Sequence, residues 1–192
     1  MANSDSAFGF RPINRDGSPY NGATLRCAFA AADTTAAFIG DAVVLDGSGT
    51  TDGYPGVSQA ATGEQVFGVV TSFDANPDNL ALQYRAASTL RYCQVAPAQN
   101  NAYFEVQEDG ADDALPVAAI GLNANFVVAA GTTTYGVSGI ELNASTEATT
   151  STLDLQIVGL VDRADNLLAG TGNANKKVIV RFNLNTDNVT GV

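Results

Sequence analysis

Histidine and tryptophan are both absent from this chain of 192 residues. Without histidine, the protein cannot build a Ser-His-Asp triad or activate a cysteine through an imidazole, and it lacks the commonest zinc ligand. A hydrolase that uses two carboxylates remains formally possible. The aspartates and glutamates cluster in predicted turns, however, where carboxylates are ordinarily solvated. We therefore predict that the protein is not an enzyme and that it uses no cofactor.

Positive charge is also scarce, since 9 Lys and Arg face 20 Asp and Glu for a formal net charge of −11. Nucleic-acid affinity depends mainly on Lys and Arg contacts to phosphates, so we predict no nucleic-acid partner. The chain has no apolar run of about 18 residues, and its start, MANSDSAFGF, lacks the basic and apolar parts of a signal peptide. We expect no membrane association and synthesis in a cytoplasm.

Only two cysteines occur, Cys27 and Cys93, in the β-like runs RCAF and YCQV. This placement favours two buried free thiols over a disulfide framework. The spacing leaves open whether they touch.

Two further motifs carry little chemistry. The acidic run 108–113, EDGADD, has oxygen ligands suited to Ca²⁺, but its spacing departs from the EF-hand loop, so we predict a solvated turn and no metal site. The glycine-rich pieces 47–49 and 170–172 lack a following helix pattern and a nearby lysine in phosphate-loop register. We interpret both as turns.

What the chain does contain is nineteen glycines, many Thr and Asn residues, and short runs in which apolar and polar residues alternate. A period of two is typical of strands with one buried face. The sequence predicts an all-β protein, an antiparallel β-sandwich or β-barrel with an extended N-terminal arm and long loops. The predicted strands are 25–29, 42–45, 66–73, 80–85, 89–95, 102–107, 123–129, 135–142, 153–161 and 177–185.

Some of these segments carry more specific predictions. Strand 66–73 is apolar on both faces, which indicates cover from both sides. We expect 153–161 and 177–185 to pair directly. The polar interval 46–63 is predicted to be a long surface loop. The Thr/Ser-rich segment 143–152 is the best candidate for a boundary within the β-rich domain.

Residues 1–22 differ from the rest, because isolated apolar residues alternate with Pro and Gly and show no sustained period. We predict an extended arm, followed by a β-rich domain over 23–192. The apolar residues Phe8, Phe10, Ile13 and Tyr20 need an apolar surface to lie on. Contact with a partner is the favoured interpretation, and docking on the chain's own core or a disordered tail are the alternatives.

Carbohydrate binding is the principal small-ligand alternative, because β-sandwiches often bind sugars through aromatic side chains. The absence of Trp counts against it. The six Tyr and nine Phe lie mostly at positions that alternate with polar residues, as expected of core.

The order of motifs along the chain resembles that of small structural proteins of tailed bacteriophages, encoded near the major capsid protein and known as auxiliary, decoration or cement proteins. The resemblance covers nearly the whole chain and rests on FGFRPI, GSPYNGA, GDAVVLDGSG, EQVFGVVTSF, NAYFEVQEDG, IGLNANFV, LQIVGLVDRADN and KKVIVRFNLN. It implies a β-rich subunit that binds the major capsid protein on the outer face of the virion, commonly as a homotrimer, after synthesis in the bacterial cytoplasm. A head-fibre or tail-fibre component is a rival interpretation. A major capsid subunit is disfavoured, because no apolar stretch has helical period.

Within that mechanism, we predict that the arm contacts neighbouring subunits through six residues. Phe8, Phe10, Ile13 and Tyr20 would provide buried apolar contacts, and Arg11 would donate charge-assisted hydrogen bonds. Pro12 would limit the entropy lost when the arm becomes ordered. Deletion of residues 1–22 is expected to leave the β-rich domain folded and to abolish capsid attachment.

Overall fold

The computed structural model describes residues 3–110, 115–164, 166 and 174–188, and this part of the chain contains strands and single-turn 3₁₀ helices but no α-helix. The predicted all-β class is confirmed. The 3₁₀ helices are Val117–Ala119, Ala144–Thr146 and Thr186–Asn188. The strands are β1 (Arg11–Ile13), β2 (Leu25–Phe29), β3 (Ala42–Gly49), β4 (Pro55–Gln59), β5 (Gly68–Phe73), β6 (Arg91–Pro97), β7 (Tyr103–Gln107), β8 (Asn123–Ala124), β9 (Phe126–Val127), β10 (Glu141–Leu142), β11 (Leu155–Leu160) and β12 (Lys177–Phe182).

Five of these strands close into a barrel in the order β2-β4-β3-β5-β6. Neighbouring strands are antiparallel except for β2 and β4, which are parallel. Among the fully buried residues of the barrel core, Phe29 is the one aromatic residue that the structure describes, and the partly buried Phe67 and Phe73 pack against this core. This core consists of Cys27, Phe29, Ala37, Val43, Val57, Val70, Cys93 and Val95.

The two cysteines lie directly opposite each other on β2 and β6. Both are fully buried and free, which confirms the prediction of buried thiols. Burial raises the pKa of the Cys27 thiol to about 11 and that of Cys93 further still, so both remain protonated at neutral pH. The spacing in the sequence left open whether the two cysteines touch. The strand register shows that they are cross-strand neighbours.

The longer strands β7, β12 and β11 form a five-stranded antiparallel sheet with the short strands β1 and β8, in the order β1-β7-β12-β11-β8. Leu155 pairs with Phe182 and Ile157 with Val180, so the expected pairing of the last two strands is confirmed. A two-stranded ribbon, β9 and β10, lies beside this sheet.

The sheet and the barrel share one hydrophobic core. Its centre is a cluster of Phe10, Phe104, Phe126 and Phe182, in which the ring of Phe10 lies 4.8 Å from that of Phe182. Val69 of β5 belongs to this core, whereas its neighbour Val70 faces the barrel interior. Strand β5 is therefore covered from both sides, as its sequence predicts.

Three loop and strand predictions are wrong. The predicted strand 135–142 contains only the two-residue strand β10 at its end. The interval 46–63 contains the second half of β3 and all of β4, which pair with each other across a hairpin, so it is not a long loop. The segment 80–84 is irregular, although Leu80, Leu82 and Tyr84 alternate with more polar residues. Its backbone carbonyls are instead bonded by a buried arginine, as described below.

The segment 143–152 packs on the sheet and shows no sign of a linker. Ala144 is buried in the large core, and Ala148 forms a bridge with Asn123 of β8. The hydroxyl of Thr146 accepts a hydrogen bond of 2.9 Å from the Asn125 amide. Of the predicted acidic turn 108–113, residues 111–113 lie outside the described residues.

The N-terminal segment is part of the fold. Strand β1 is an edge strand of the sheet and pairs with β7, and Phe10 is only 2% exposed. The Phe10 amide donates a 2.8 Å hydrogen bond to Gly40 at the start of the barrel. Gly9 has a φ of +69°, and a Cβ there would lie 2.5 Å from the Gly40 oxygen, so this close approach requires glycine. Residues 9–13 are therefore joined to both the sheet and the barrel, and the boundary at position 22 stays a prediction.

Candidate interaction surfaces

A groove of about 930 Å³ runs along the N-terminal segment. One wall comes from residues between 8 and 24. The other comes from the barrel, including Val70 and Thr71 of β5, and from residues 160–163 at the end of β11. We call it the N-terminal groove. All six residues predicted to contact a partner line it: Phe8, Phe10, Arg11, Pro12, Ile13 and Tyr20.

The structure gives these six residues different environments. Phe10 and Ile13 are buried against the chain's own core, so they have little surface left to offer a partner, and their predicted role as partner anchors needs correction. The physical reason is that the Phe cluster already covers the ring of Phe10. Phe8, Pro12 and Tyr20 are half-buried and Arg11 is exposed, so these four still face the groove.

An ion-pair triad lies on the groove wall. Glu105 of β7 is buried and lies directly opposite Arg11 in the strand register. Its Oε2 is 3.4 Å from Arg11 Nη1, and its Oε1 is 3.1 Å from Arg163 Nη1. Two cations offset the cost of burying one carboxylate. The Arg11 side chain is 54% exposed and that of Arg163 is 41% exposed, so both reach the surface of the groove while they pair with Glu105.

Exposed positive charge is concentrated at this groove. All nine Lys and Arg residues lie within the described ranges, and only three of them, Arg11, Arg15 and Arg163, are exposed. All three line the groove. The guanidinium of Arg11 lies 4.6 Å from the ring of Phe8, and that of Arg15 lies 6.0 Å from the ring of Tyr103. The exposed carboxylates of Asp16 and Asp162 and the buried carboxylate of Glu105 line the same groove, so its lining carries both signs of charge.

A second candidate surface is the connection between β5 and β6, residues 74–90, which we call loop 74–90. Two buried arginines anchor it: Arg85 mainly bonds the loop to the carbonyls of residues 30–35, and Arg91 bonds to carbonyls of the loop itself. Arg85 is 0% exposed and donates hydrogen bonds to the carbonyls of Thr89 at 2.8 Å, Ala30 at 2.6 Å and Asp33 at 2.7 Å, and to that of Thr35. It also lies 3.4 Å from the Asp33 carboxylate.

Arg91, the first residue of β6, bonds the other side of the loop. Its guanidinium donates to the carbonyl of Asp74 at 2.9 and 3.1 Å, to that of Leu82 at 2.8 Å, and to that of Tyr84. Burial lowers the pKa of both Arg85 and Arg91, while nearby carboxylates oppose that shift. Carbonyls that would otherwise be unpaired are thereby satisfied, and the loop is held in one conformation.

This rigid loop presents apolar side chains to solvent. Leu80 is 80% exposed and Leu90 is 55% exposed. Tyr135, which is 70% exposed, is close by, because its neighbour Gly136 packs against the backbone and Cβ of Gln83. Asp78 adds an exposed negative charge, and both arginines of the region are buried. Loop 74–90 is therefore apolar and acidic on its outer side.

Sequence reasoning missed this surface, because the alternation of Leu80, Leu82 and Tyr84 was interpreted as a strand. A usable signal was the strong turn 74–79, DANPDN, followed by two arginines in the short stretch RAASTLR. When an arginine lies among small, uncharged residues in the sequence and becomes buried, its five N–H donors need acceptors, and backbone carbonyls provide them.

An aromatic pair on the barrel wall bears on the carbohydrate alternative. The rings of Tyr54 and Tyr92 meet at 80°, with centroids 5.8 Å apart. The guanidinium of Arg26 lies 4.7 Å from the first centroid and 4.4 Å from the second, and it pairs with Asp74 at 2.6 Å. Sugar stacking requires an open flat ring face. This arrangement counts against such a platform here, because Arg26 covers one face of each ring.

The buried carboxylates have structural partners. Asp154 accepts hydrogen bonds from the amides of Gly63 at 2.8 Å and Phe126 at 3.4 Å. Glu108 accepts from the amides of Leu115 at 2.6 Å and Lys176 at 3.2 Å. Burial raises the pKa of both carboxyl groups. Within the described ranges, no group of three or more Cys, Asp or Glu side chains is placed to hold a metal ion.

No helix in the described part of the chain is long and apolar enough to cross a membrane. No protein-family model, curated protein or solved structure matches the chain. The functional argument therefore rests on the two surfaces, the N-terminal groove and loop 74–90.

Proposed function

We propose that this protein is a structural component of a tailed-bacteriophage particle, which binds the outer surface of the capsid and stabilises it as a decoration or cement protein. Its partners are the major capsid protein and further copies of itself, most simply in a homotrimer. The supporting observation is that a rigid β-structure presents two preorganised contact surfaces, the N-terminal groove and loop 74–90. Preorganised surfaces lose little conformational entropy on binding.

The N-terminal segment contributes to attachment as one wall of a groove. Phe8, Tyr20 and the exposed guanidinium groups of Arg11 and Arg15 provide contacts to neighbouring subunits. Each contact is modest by itself. In an oligomer, the first contact raises the effective concentration of the others, so a capsid surface with many equivalent sites is bound tightly.

The acidic surface suits a position outside the shell. A net charge of −11 keeps subunits soluble before assembly and gives them no affinity for packaged DNA.

The test is an add-back experiment on particles that lack the protein. The gene is deleted from the encoding phage genome, purified particles are mixed with the purified protein, and co-sedimentation is measured. We expect saturable binding and improved resistance of the particles to heat. Absence of the polypeptide from wild-type particles, or failure to co-sediment, contradicts the proposal.

Deletion of residues 1–22 is no longer a suitable variant, because it removes β1 and Phe10 from the fold. Arg15→Glu is the better variant, since Arg15 is exposed and lines the groove. Arg181→Glu is its matched control, because it makes the same charge change at a separate groove. Cryo-microscopy of the particles distinguishes a position on the shell from one on a fibre, and a glycan-binding screen tests the carbohydrate alternative.

A further inference from the structure

We propose that Cys27 and Cys93 form a disulfide bond inside the barrel when the protein meets an oxidising environment, and that this bond locks the barrel. The two free thiols of the structure are then the reduced form of a redox-sensitive pair. The inference rests on the proposed function only for its setting, because a decoration protein leaves the reducing cytoplasm with the particle when the host cell lyses.

The strand register places the two cysteines close enough to be bonded. Cys27 of β2 lies directly opposite Cys93 of β6, in a run of five consecutive antiparallel pairs. Directly opposite Cα atoms are about 4.5–5.5 Å apart, and a disulfide joins Cα atoms that are roughly 4.4–6.8 Å apart. Opposite Cβ atoms are about 4.5–5.5 Å apart and those of a disulfide about 3.5–4.5 Å, so the strands must approach by roughly 1 Å. Bond formation therefore needs only a small movement of the main chain.

The two thiols also lie on the same side of the sheet. Both side chains belong to the barrel core, and both are 0% exposed. Burial is the main cause of the raised pKa of Cys93, and the neighbouring Cys27 adds to it, which requires the two side chains to be near each other. The chain contains no further cysteine, so each thiol has the other as its only intramolecular partner.

The bond would join the two strands on which the barrel most depends for its closure. Along the chain, β2 is the first strand of the barrel and β6 the last, so a bond between them encloses β3, β4 and β5. The other neighbour of β2 is β4, and there the register contains a single pair, Ala28 opposite Gly56. A crosslink between β2 and β6 therefore holds the strand that is weakly paired on its other side, and it restricts the unfolded chain.

The oxidant is a small-molecule disulfide, such as oxidised glutathione, and the reaction is two successive thiol–disulfide exchanges. One cysteine loses its proton, and its thiolate attacks a sulfur of oxidised glutathione. A mixed disulfide forms, and the first glutathione leaves and takes up the proton. The second cysteine then loses its proton and attacks the protein sulfur of the mixed disulfide. The protein S–S bond forms and the second glutathione leaves as a thiol, so two protein thiols are oxidised and one small disulfide is reduced.

Burial makes this reaction slow and directs its outcome. It raises the pKa of both thiols, so the reactive thiolate is scarce at neutral pH. The first exchange therefore requires a transient local opening of β2 from β6. A glutathione adduct is too large for a closely packed barrel core, whereas the internal bond removes two hydrogen atoms and lets the barrel close again. We expect slow oxidation that ends in the internal bond.

The experiment uses the reduced, full-length protein in native buffer without capsids. The protein is incubated with oxidised glutathione, quenched with acid, and analysed for free thiols, intact mass and linked peptides. We expect both thiols to disappear, the mass to fall by two hydrogen atoms, and one peptide to join positions 27 and 93. The midpoint of thermal unfolding should rise by roughly 5 °C or more and return to its first value after treatment with dithiothreitol.

The matched control is the double variant Tyr92→Cys/Cys93→Ala. It keeps two thiols but moves one of them by a single position, so that it lies on the opposite face of β6. This variant should accumulate glutathione adducts without an internal bond, and circular dichroism verifies that it is folded.

Four results overturn the inference. They are thiols of the wild type that stay free, a wild type that ends as glutathione adducts, an internal bond that forms as readily in the control variant, and a bond that leaves the unfolding midpoint unchanged. Capsid co-sedimentation is scored separately. Persistent thiols in a protein that binds capsids end this inference alone, and an oxidised protein that does not bind capsids ends the proposed function alone.

Discussion

The barrel and the five-stranded sheet are stabilised in different ways. Among the residues that the structure describes, eight are buried in the barrel core and Phe29 is the only aromatic one of these, whereas twenty are buried in the core under the sheet, including four Phe residues. Around the barrel, Arg85 and Arg91 supply hydrogen bonds to loop carbonyls. A narrow barrel has little room for large side chains. The loops that connect its strands therefore have little apolar contact with its interior, and they are held by hydrogen bonds to the two arginines instead.

This difference predicts which substitutions matter in each region. In the sheet, the largest loss in the free energy of unfolding should follow removal of an aromatic ring, because the surrounding residues relax only partly into the cavity that it leaves. In the barrel, the largest loss in the free energy of unfolding should follow removal of a buried guanidinium group, because several backbone carbonyls then lose their hydrogen-bond donor. The contact region between them, where Phe10 bonds to Gly40 and Asp41 directly precedes the barrel strand β3, should change its stability with pH.

The largest effect is expected for Phe10→Ala. We expect a loss of about 3–5 kcal/mol in the free energy of unfolding, since the ring is buried among three other Phe rings. Urea denaturation measures it. Phe8→Ala is the control, because Phe8 is only half-buried and should cost roughly 1 kcal/mol. Equal effects of the two variants would show that the N-terminal segment is not part of the core.

Arg85→Met should cost about 3 kcal/mol, because it removes the partners of four backbone carbonyls and leaves the Asp33 carboxylate without its cation. Hydrogen exchange should accelerate in loop 74–90 and remain slow in β11 and β12. Arg26→Met is the control on the barrel surface, where an ion pair that water screens should stabilise the fold much less than the buried Arg85 does. Unchanged exchange in the loop would contradict the anchoring role of Arg85.

Asp41→Asn tests the contact region between the sheet and the barrel and should have the smallest effect. Burial raises the pKa of Asp41 from 3.8 to about 6, although the Phe38 amide and the Gln59 side chain donate hydrogen bonds to it. Because the folded pKa is the higher one, ionisation of Asp41 destabilises the fold above pH 6, and that cost disappears as the pH falls toward 4.

The Asn variant should therefore be more stable than the wild type by roughly 2 kcal/mol at pH 7.5, and the difference should shrink to nearly zero at about pH 4. Thermal unfolding of both proteins across this range measures the difference. A difference that is constant with pH would show that Asp41 has no raised pKa in the folded protein.

Local sequence patterns predicted the strands that have either one apolar and one polar face or two apolar faces. The alternation in 153–161 and 177–185 predicted β11, β12 and their pairing, and the doubly apolar run 66–73 predicted β5 with cover on both sides. Each of these rests on side chains whose direction follows from the period of two. The same rule failed at 80–84, where carbonyls bond to Arg91 instead of a neighbouring strand.

The six candidate contact residues also show that the sequence predicts which side chains need cover but not which residues cover them. Their sequence predicted that Phe8, Phe10, Ile13 and Tyr20 need apolar cover, and the structure places all of them along one groove. It could not predict that Phe10 and Ile13 are covered by the chain's own core. Loop 74–90 was missed altogether, since its surface depends on the buried Arg85 and Arg91.

Composition and short-range pattern by themselves determined the all-β class, the lack of imidazole chemistry, the acidic surface and most strand positions. Tertiary structure alone decided that one sheet closes into a barrel, that Cys27 faces Cys93, and that the exposed cations gather at one groove. The physical reason is that the alternation of apolar and polar residues tells which side chains lie on the same face of a strand. The residues that cover this face are distant in the chain, so the alternation does not identify them.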